Sequence, residues 1–225
     1  MSCTHKRHTS ATIYEILKKR IIAGFYAPGA HLREAPIAQE MGTSRTPVRT
    51  AFESLIGAGL AEQRKNRGVF VISWSKTDIE DMIRLRIQLE PYAARLTAQR
   101  SKPIVVENLK ASNQAMQAAI SEMSLGKDSR EKIQQANQAF HQQLLIGSGS
   151  PRLIEMLGTL VEMPIIMRSF LLYEHEDFHR SLQHHKDILF AVENKDGELA
   201  ELLMRVHLKI STQRFLKHRI KAVGP

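Results

Sequence analysis

Ten histidines and a single cysteine, Cys3, bound the metal and nucleophile chemistry open to this chain. Asn137 and His141 stand four residues apart, the spacing that places two side chains on one face of a helix. His185 and His207 fall in two further segments of helical pattern. Three imidazoles and an amide oxygen drawn from three helices can converge on one ion, and imidazole suits zinc, nickel, copper, iron or manganese at neutral pH. Histidines scattered over helices are also common as core or surface residues, so spacing alone leaves both readings open. A second group lies near the start. In Thr43-Ser44-Arg45-Thr46-Pro47-Val48-Arg49, Arg45 and Arg49 share a helical face, and Ser44 and Thr46 flank Arg45. Arginine at the front of a helix can pair with guanine O6 and N7, while hydroxyls and helix N-terminal amides suit phosphate oxygens. Arg64-Lys65-Asn66-Arg67-Gly68 is a basic turn able to lie along a minor groove, with Gly68 permitting close approach. The alternative there is an amphipathic helix with solvated arginines.

The elements that must carry these groups are legible from periodicity and breaks. Ile13, Ile16, Leu17, Ile21 and Ile22 have helical spacing, and Gly24 stops the run. Pro36 suits the first turn of a short helix over about 37–41, and Gly42 ends it. Ser44 is a suitable N-cap for a third helix over about 45–58, whose Val48, Phe52, Leu55 and Ile56 face a small core. The pattern then changes to two strands, over 60–63 and 69–72. Three short helices and a β-hairpin form the winged helix-turn-helix plan. Trp74-Ser75-Lys76 reads as a linker, and Thr77-Asp78-Ile79-Glu80 as a capping box opening a helix to about Arg100. Further helices are expected over about 104–124, 129–147, 152–173, 178–193 and 197–221, with breaks such as Gly126-Lys127-Asp128 and a kink at Pro164. The fold class is therefore mainly α: a winged helix-turn-helix over 8–74 and an all-α antiparallel bundle over 77–222.

Composition agrees with that division. The chain has 225 residues, 43% hydrophobic and 24% charged, with formal net charge +9. Residues 1–75 hold 11 Lys and Arg against 5 Asp and Glu, so most of the positive excess lies in the first third of the chain. That asymmetry suggests a polyanion-binding module ahead of a more neutral domain. A single cysteine excludes an intrachain disulfide and a cysteine-based zinc finger. The polar start has no secretory signal, and no apolar run approaches bilayer length, so a cytoplasmic protein without membrane contact is expected.

The stretch Ala27-Pro28-Gly29, Leu32-Arg33-Glu34, Ile37-Ala38, Gly42 to Phe52, Leu55, Gly59-Leu60 and Asn66-Arg67-Gly68 resembles a GntR-family winged-helix domain. The resemblance implies DNA contacts by Arg33, Ser44, Arg45, Thr46, Arg49, Asn66, Arg67 and Gly68. Two positions depart from the family pattern: Ala35, where several relatives carry a polar or basic residue, and Thr50, where glutamate is usual. Asn137 to His141, Gly149 to Leu153, and His185, Ala191, Asp196, Ala200 and His207 resemble the all-helical FCD effector domain of FadR-type GntR regulators. In many such domains an aspartate and three histidines bind a divalent transition metal. Here these positions are Asn137, His141, His185 and His207, with a neutral amide in the carboxylate place. The ion expected is zinc, nickel or manganese. Arg86 matches a family arginine that reaches the effector pocket, and Arg168 is a second candidate to bind an effector carboxylate. His184, beside His185, is expected to face solvent.

The resemblance thus implies a homodimeric, ligand-responsive regulator of transcription, a repressor of double-stranded operator DNA released by a small carboxylate metabolite. One alternative is a regulator whose effector is the ion itself. Another is a metal-dependent enzyme fused to a DNA-binding domain, but the chain shows no nucleophile motif and no carboxylate at the spacing of a paired general base, so no enzyme is expected.

Overall fold

A computed structural model of the chain describes residues 8–73, 75–124, 129–161 and 173–222. It falls into two compact units that divide between Thr77 and Asp78. Trp74, the break at Gly126-Lys127-Asp128, the Pro164 kink and Arg168 lie outside the described residues.

The first unit opens with α1 (Ser10–Ala23), in which Thr9 Oγ1 accepts from the Thr12 amide and Gly24, at φ 83°, ends the helix. Ile13, Leu17 and Ile21 recur every four residues and are buried. Next come β1 (His31–Leu32), α2 (Glu34–Glu40) and α3 (Arg45–Gly57), then β2 (Ala61–Arg64) and β3 (Gly68–Val71). Pro36 sits in the first turn of α2, where no amide is needed, but the helix begins three residues earlier than its apolar pattern predicts. Val48, Phe52 and Leu55 of α3 are buried with Leu32, Leu60, Val69 and Val71, and Ile56 packs against them half-buried. Truncating Phe52 to alanine in such a core costs about 3–5 kcal/mol.

The sheet has three antiparallel strands in the order β1-β3-β2. The predicted hairpin is present one residue out of place, with Ala61 opposite Val71 and Arg64 opposite Gly68. β1 adds a strand that the sequence reading lacked, pairing His31 with Phe70 and Leu32 with Val69.

The second unit contains α4 (Lys76–Arg100), α5 (Pro103–Ser124), α6 (Arg130–Gly147), α7 (Pro151–Val161), α8 (His175–Glu193) and α9 (Gly197–Ala222). Two expected boundaries shift. Thr77 is not the cap of α4, because the helix already includes Lys76, and α4 continues through Pro91. α8 starts at His175 rather than 178, where the Glu174 amide donates to Asp177 Oδ2 at 3.1 Å.

Apolar side chains of this unit form separate clusters. Leu109, Phe140, Leu144 and Ile188 belong to one, and Met116, Ile120, Ile133, Ala136 and Leu182 to another. A third joins Ala93 and Leu96 of α4 to Leu145 of α6 and Leu153 and Leu157 of α7. At the end of α6 a Cβ on Gly147 would lie 2.6 Å from Thr97 Cγ2 and 2.7 Å from Val105 Cγ1, so only glycine fits the approach of α4 and α5. No helix among the described residues is long and apolar enough to cross a membrane.

Candidate functional site

The helical unit brings together three histidines separated by 44 and 22 residues in sequence. His141 on α6, His185 on α8 and His207 on α9 are all buried, and one ligand atom from each lies within 4.8 Å of the others. His141 Nε2 and His207 Nε2 are 3.2 Å apart. The His185 ring is stacked on Phe140, the residue before His141, with centroids 4.0 Å apart and planes 5° from parallel. That contact fixes the ring while leaving its nitrogens unused. Neither His185 nitrogen nor His207 Nδ1 has a hydrogen-bond partner among the described residues.

Burial pushes His185 and His207 well below the usual imidazole range, and neighbouring histidines add to the effect. Both rings are therefore neutral at pH 7, the form that binds a metal. Asn137 is half-buried one turn ahead of His141 on α6. His184 is half-buried rather than solvent-facing, with its ring centroid 5.6 Å from that of His207.

A carboxylate that the sequence reading missed completes the cluster. Glu90 on α4 is buried, and its Oε2 lies 2.6 Å from His141 Nδ1. Its other oxygen, Oε1, accepts from Arg86 Nε. Burial by itself would raise the Glu90 carboxyl, but the charge of Arg86 and the contact with His141 outweigh it and hold the pKa at about 2. An ionised Glu90 can only accept, so His141 Nδ1 donates to it, and His141 Nε2 is the nitrogen that faces His207. Arg86 thus lies beside the cluster with its Nε donating to Glu90. The signal was present in the sequence: Ile79, Met82, Arg86, Glu90, Ala93 and Thr97 follow helical spacing, so two charged residues interrupt an apolar stripe.

The first unit presents Arg45 and Thr46 on the exposed front of α3, with Ser44 exposed at its N-cap position. Ser44 does not cap the helix through its side chain, contrary to its predicted role, since its hydroxyl makes no cap hydrogen bond. Arg49, one turn on, is also exposed, but its Nε and Nη2 donate to the two carboxylate oxygens of Glu34 at 3.1 and 3.0 Å, tying α3 to the start of α2. That hydrogen bonding lowers the Glu34 pKa against a smaller effect of burial. Arg33 is exposed at the N-cap position of α2.

In the β2–β3 turn Asn66 and Arg67 are exposed, and Asn66 takes the left-handed conformation at φ 58°. Gly68 has φ 94°, and a Cβ there would lie 2.7 Å from His31 Nε2. Its need for glycine is therefore met within the fold. The His31 ring stacks on Phe70 at 4.5 Å, and the Arg64 guanidinium lies 4.4 Å from the Phe70 centroid. This stack fixes the wing, and the sequence reading did not include it.

Comparison with known proteins gives the same two parts. Residues 9–71 match the family model described as bacterial regulatory proteins, gntR family, and residues 81–209 match the FCD domain. The chain is 26% identical over 220 residues to the galactonate operon transcriptional repressor of Escherichia coli (strain K12), covering 88% of this chain and 93% of that protein. It is 30% identical over 213 residues to a protein of Paenarthrobacter nicotinovorans described as a probable D-xylose utilization operon transcriptional repressor, covering 92% and 91%. Among solved structures it is similar to McbR/YncC of E. coli, with TM-score 0.74, 22% identity and coverage of 93% and 98%. It is also similar to Lar of Listeria monocytogenes, with TM-score 0.68, 18% identity and coverage of 93% and 97%. The two structural likenesses show the fold. The sequence relatives are transcriptional regulators rather than enzymes.

Proposed function

Because this chain belongs to the GntR family of bacterial transcriptional regulators and carries an FCD domain, we propose that it is a cytoplasmic repressor whose DNA affinity falls when a small carboxylate occupies the helical unit. The observation that carries this reading is the buried triad, with three ring nitrogens left without partners among the described residues. The donor set fits a divalent transition ion: three buried imidazoles, one of them already held by a carboxylate through its far nitrogen. His141, His185 and His207 would hold the ion, with Asn137 as a fourth, amide ligand, and the identity lies among zinc, nickel and manganese. When bound, the ion supplies a Lewis-acid seat for a carboxylate oxygen.

The protein's own residues do the rest. Glu90 holds the His141 ring in one orientation through Nδ1, and Arg86 balances the Glu90 charge. Because the proposed ligands are imidazoles and an amide, with no carboxylate among them, a bound divalent ion would keep positive charge that an anionic effector balances. The galactonate operon named for one relative makes aldonic acids the first effectors to try. The effector can release DNA only if it binds the DNA-incompetent state more tightly than the competent one.

At the DNA, Arg45 and Thr46 read the major groove from the front of α3, with Ser44 and Arg33 on phosphates and Asn66-Arg67-Gly68 at the minor groove. A homodimer would place two such faces on a pseudo-palindromic operator.

Two measurements test this reading. Elemental analysis of untagged protein should give close to one transition metal per chain, lost in His141→Ala and His207→Ala. Duplex binding, followed by fluorescence anisotropy, should be salt-sensitive and abolished in the Arg45→Ala, Arg49→Ala double variant. Protein that takes up no ion after incubation with zinc, nickel and manganese would contradict the metal centre. Duplex binding indifferent to the arginines would contradict the DNA face. Operator affinity that responds to the ion with no organic acid present would make the ion itself the effector.

A further inference from the structure

The two main apolar clusters of the helical unit leave a polar layer between them, and α5 contributes to it. Leu109 belongs to the cluster of Phe140 and Ile188, and Met116 to that of Ala136 and Leu182. Asn113 lies four residues after Leu109 and three before Met116, on the same buried stripe of α5. On α6 the step from one cluster to the other runs from Ala136 to Phe140, the turn just before His141. On α8 it runs from Leu182 to Ile188, which brackets His185. Asn113 thus stands near the level of Asn137 and His185, one turn from His141 along α6.

Its side chain is 6% exposed, yet neither Oδ1 nor Nδ2 has a hydrogen-bond partner among the described residues. A buried polar group in that state is costly where an apolar side chain would not be, so it calls for a partner. The carboxamide both donates and accepts. A carboxylate would use Nδ2 and leave Oδ1 unpaired, and an alkyl chain would leave both unpaired. A hydroxyl, which also donates and accepts, satisfies both.

We propose that Asn113 is a ligand-binding residue of the helical unit, its carboxamide taking a hydroxyl of a polyhydroxylated carboxylate held beside the histidine triad. This rests on the reading of the helical unit as the effector site. The recognition is of the part of the ligand away from the ion, so it separates a sugar acid from a plain α-hydroxy acid that could chelate equally well.

The test is calorimetric titration of full-length protein, with and without zinc, using D-galactonate and 2-hydroxyhexanoate. Both are six-carbon α-hydroxy acids, and they differ in the remaining hydroxyls. The wild type should prefer D-galactonate by about tenfold or more, the range of one or two hydrogen bonds. Asn113→Leu should lose most of that preference, with weaker D-galactonate binding and 2-hydroxyhexanoate binding equal or tighter, and keep its zinc stoichiometry. Asn113→Ser, which retains a hydroxyl, should keep part of it and guards against misfolding of the leucine variant. A preference that survives in Asn113→Leu means that other groups read the hydroxyls, and overturns the proposal. So does a wild type that binds none of D-galactonate, D-gluconate and D-xylonate in either state. A wild type that binds D-galactonate but takes up no zinc sinks the metal reading alone, because the acid titrations on zinc-free protein still report on Asn113.

Discussion

Glu90 Oε2 accepts from His141 Nδ1 at 2.6 Å, although 51 residues separate the two. The contact leaves His141 Nε2 as the nitrogen turned toward His207, and it makes Glu90 the carboxylate anchor of the histidine cluster. Removing such an anchor has two consequences. Glu90→Ala leaves Arg86 buried without its counter-charge, which costs about 3–5 kcal/mol in urea denaturation. It also frees the His141 ring, and loss of such an outer partner weakens metal binding by about 10–100-fold. The double variant Arg86→Met, Glu90→Leu should recover most of the stability, since neither charge is then buried alone, without recovering zinc affinity. Equal zinc affinity in wild type and double variant would refute the orienting role.

At the DNA face the pairing of Arg49 with Glu34 predicts unequal arginines. Arg45 makes no ion pair that the structure records, whereas the Arg49 charge is already matched. Arg45→Ala should therefore lower the slope of log affinity against log salt by about one. Arg49→Ala should lower it by less. Glu34→Gln should do the reverse of both, raising affinity for unrelated duplex and steepening the slope. Anisotropy titrations over a series of KCl concentrations read all three, and identical slopes for the two arginine variants would show that Glu34 releases Arg49 on DNA.

Much of this fold is written in local signals. Gly24, Gly42 and the prolines at 36, 103 and 151 punctuate helices whose apolar spacing is clear, so most helix ends are placed within a few residues. What was missed depends on partners distant in sequence. β1 is two residues long and has no period of its own, existing only because Leu32 finds Val69. The Arg86–Glu90 pair has the spacing of a surface salt bridge, and only packing of the bundle around it makes it buried. The triad is similar. Separations of 44 and 22 residues carry no periodic signal, so the residues themselves left core and metal readings open, and the family resemblance was what favoured the metal reading of these three histidines.

The wing offers a stability test independent of DNA. Gly68 combines φ 94° with a Cβ position only 2.7 Å from His31 Nε2. Gly68→Ala incurs the backbone strain and must also displace His31 from Phe70, for a cost of about 1–3 kcal/mol. Adding His31→Ala should relieve the contact but not the strain, so the double variant should be less destabilised than the sum of the two single changes. Strict additivity in denaturant melts would show that His31 swings aside freely.

The histidine cluster sets the pH response of the ion-free protein. His185 and His207 titrate near 6.5 when unfolded and well below it when folded, chiefly because burial disfavours the charged ring. Below pH 6.5 the unfolded chain therefore binds protons that the folded chain refuses, and stability falls as the pH drops. Each histidine contributes at most about 1.4 kcal/mol per pH unit once its unfolded form is protonated. Glu90 acts with the same sign in a lower window, its contribution present above 4.5 and lost as the pH falls toward about 2. Urea midpoints at pH 7.5, 6.5 and 5.5 should thus decline mainly over the last interval. His185→Phe keeps a ring to stack on Phe140 and removes one titrating group, so it should flatten that decline by up to half. A midpoint that holds level from pH 7.5 to 5.5 in the ion-free wild type would mean that the folded cluster accepts protons, and that its rings are not held neutral by burial.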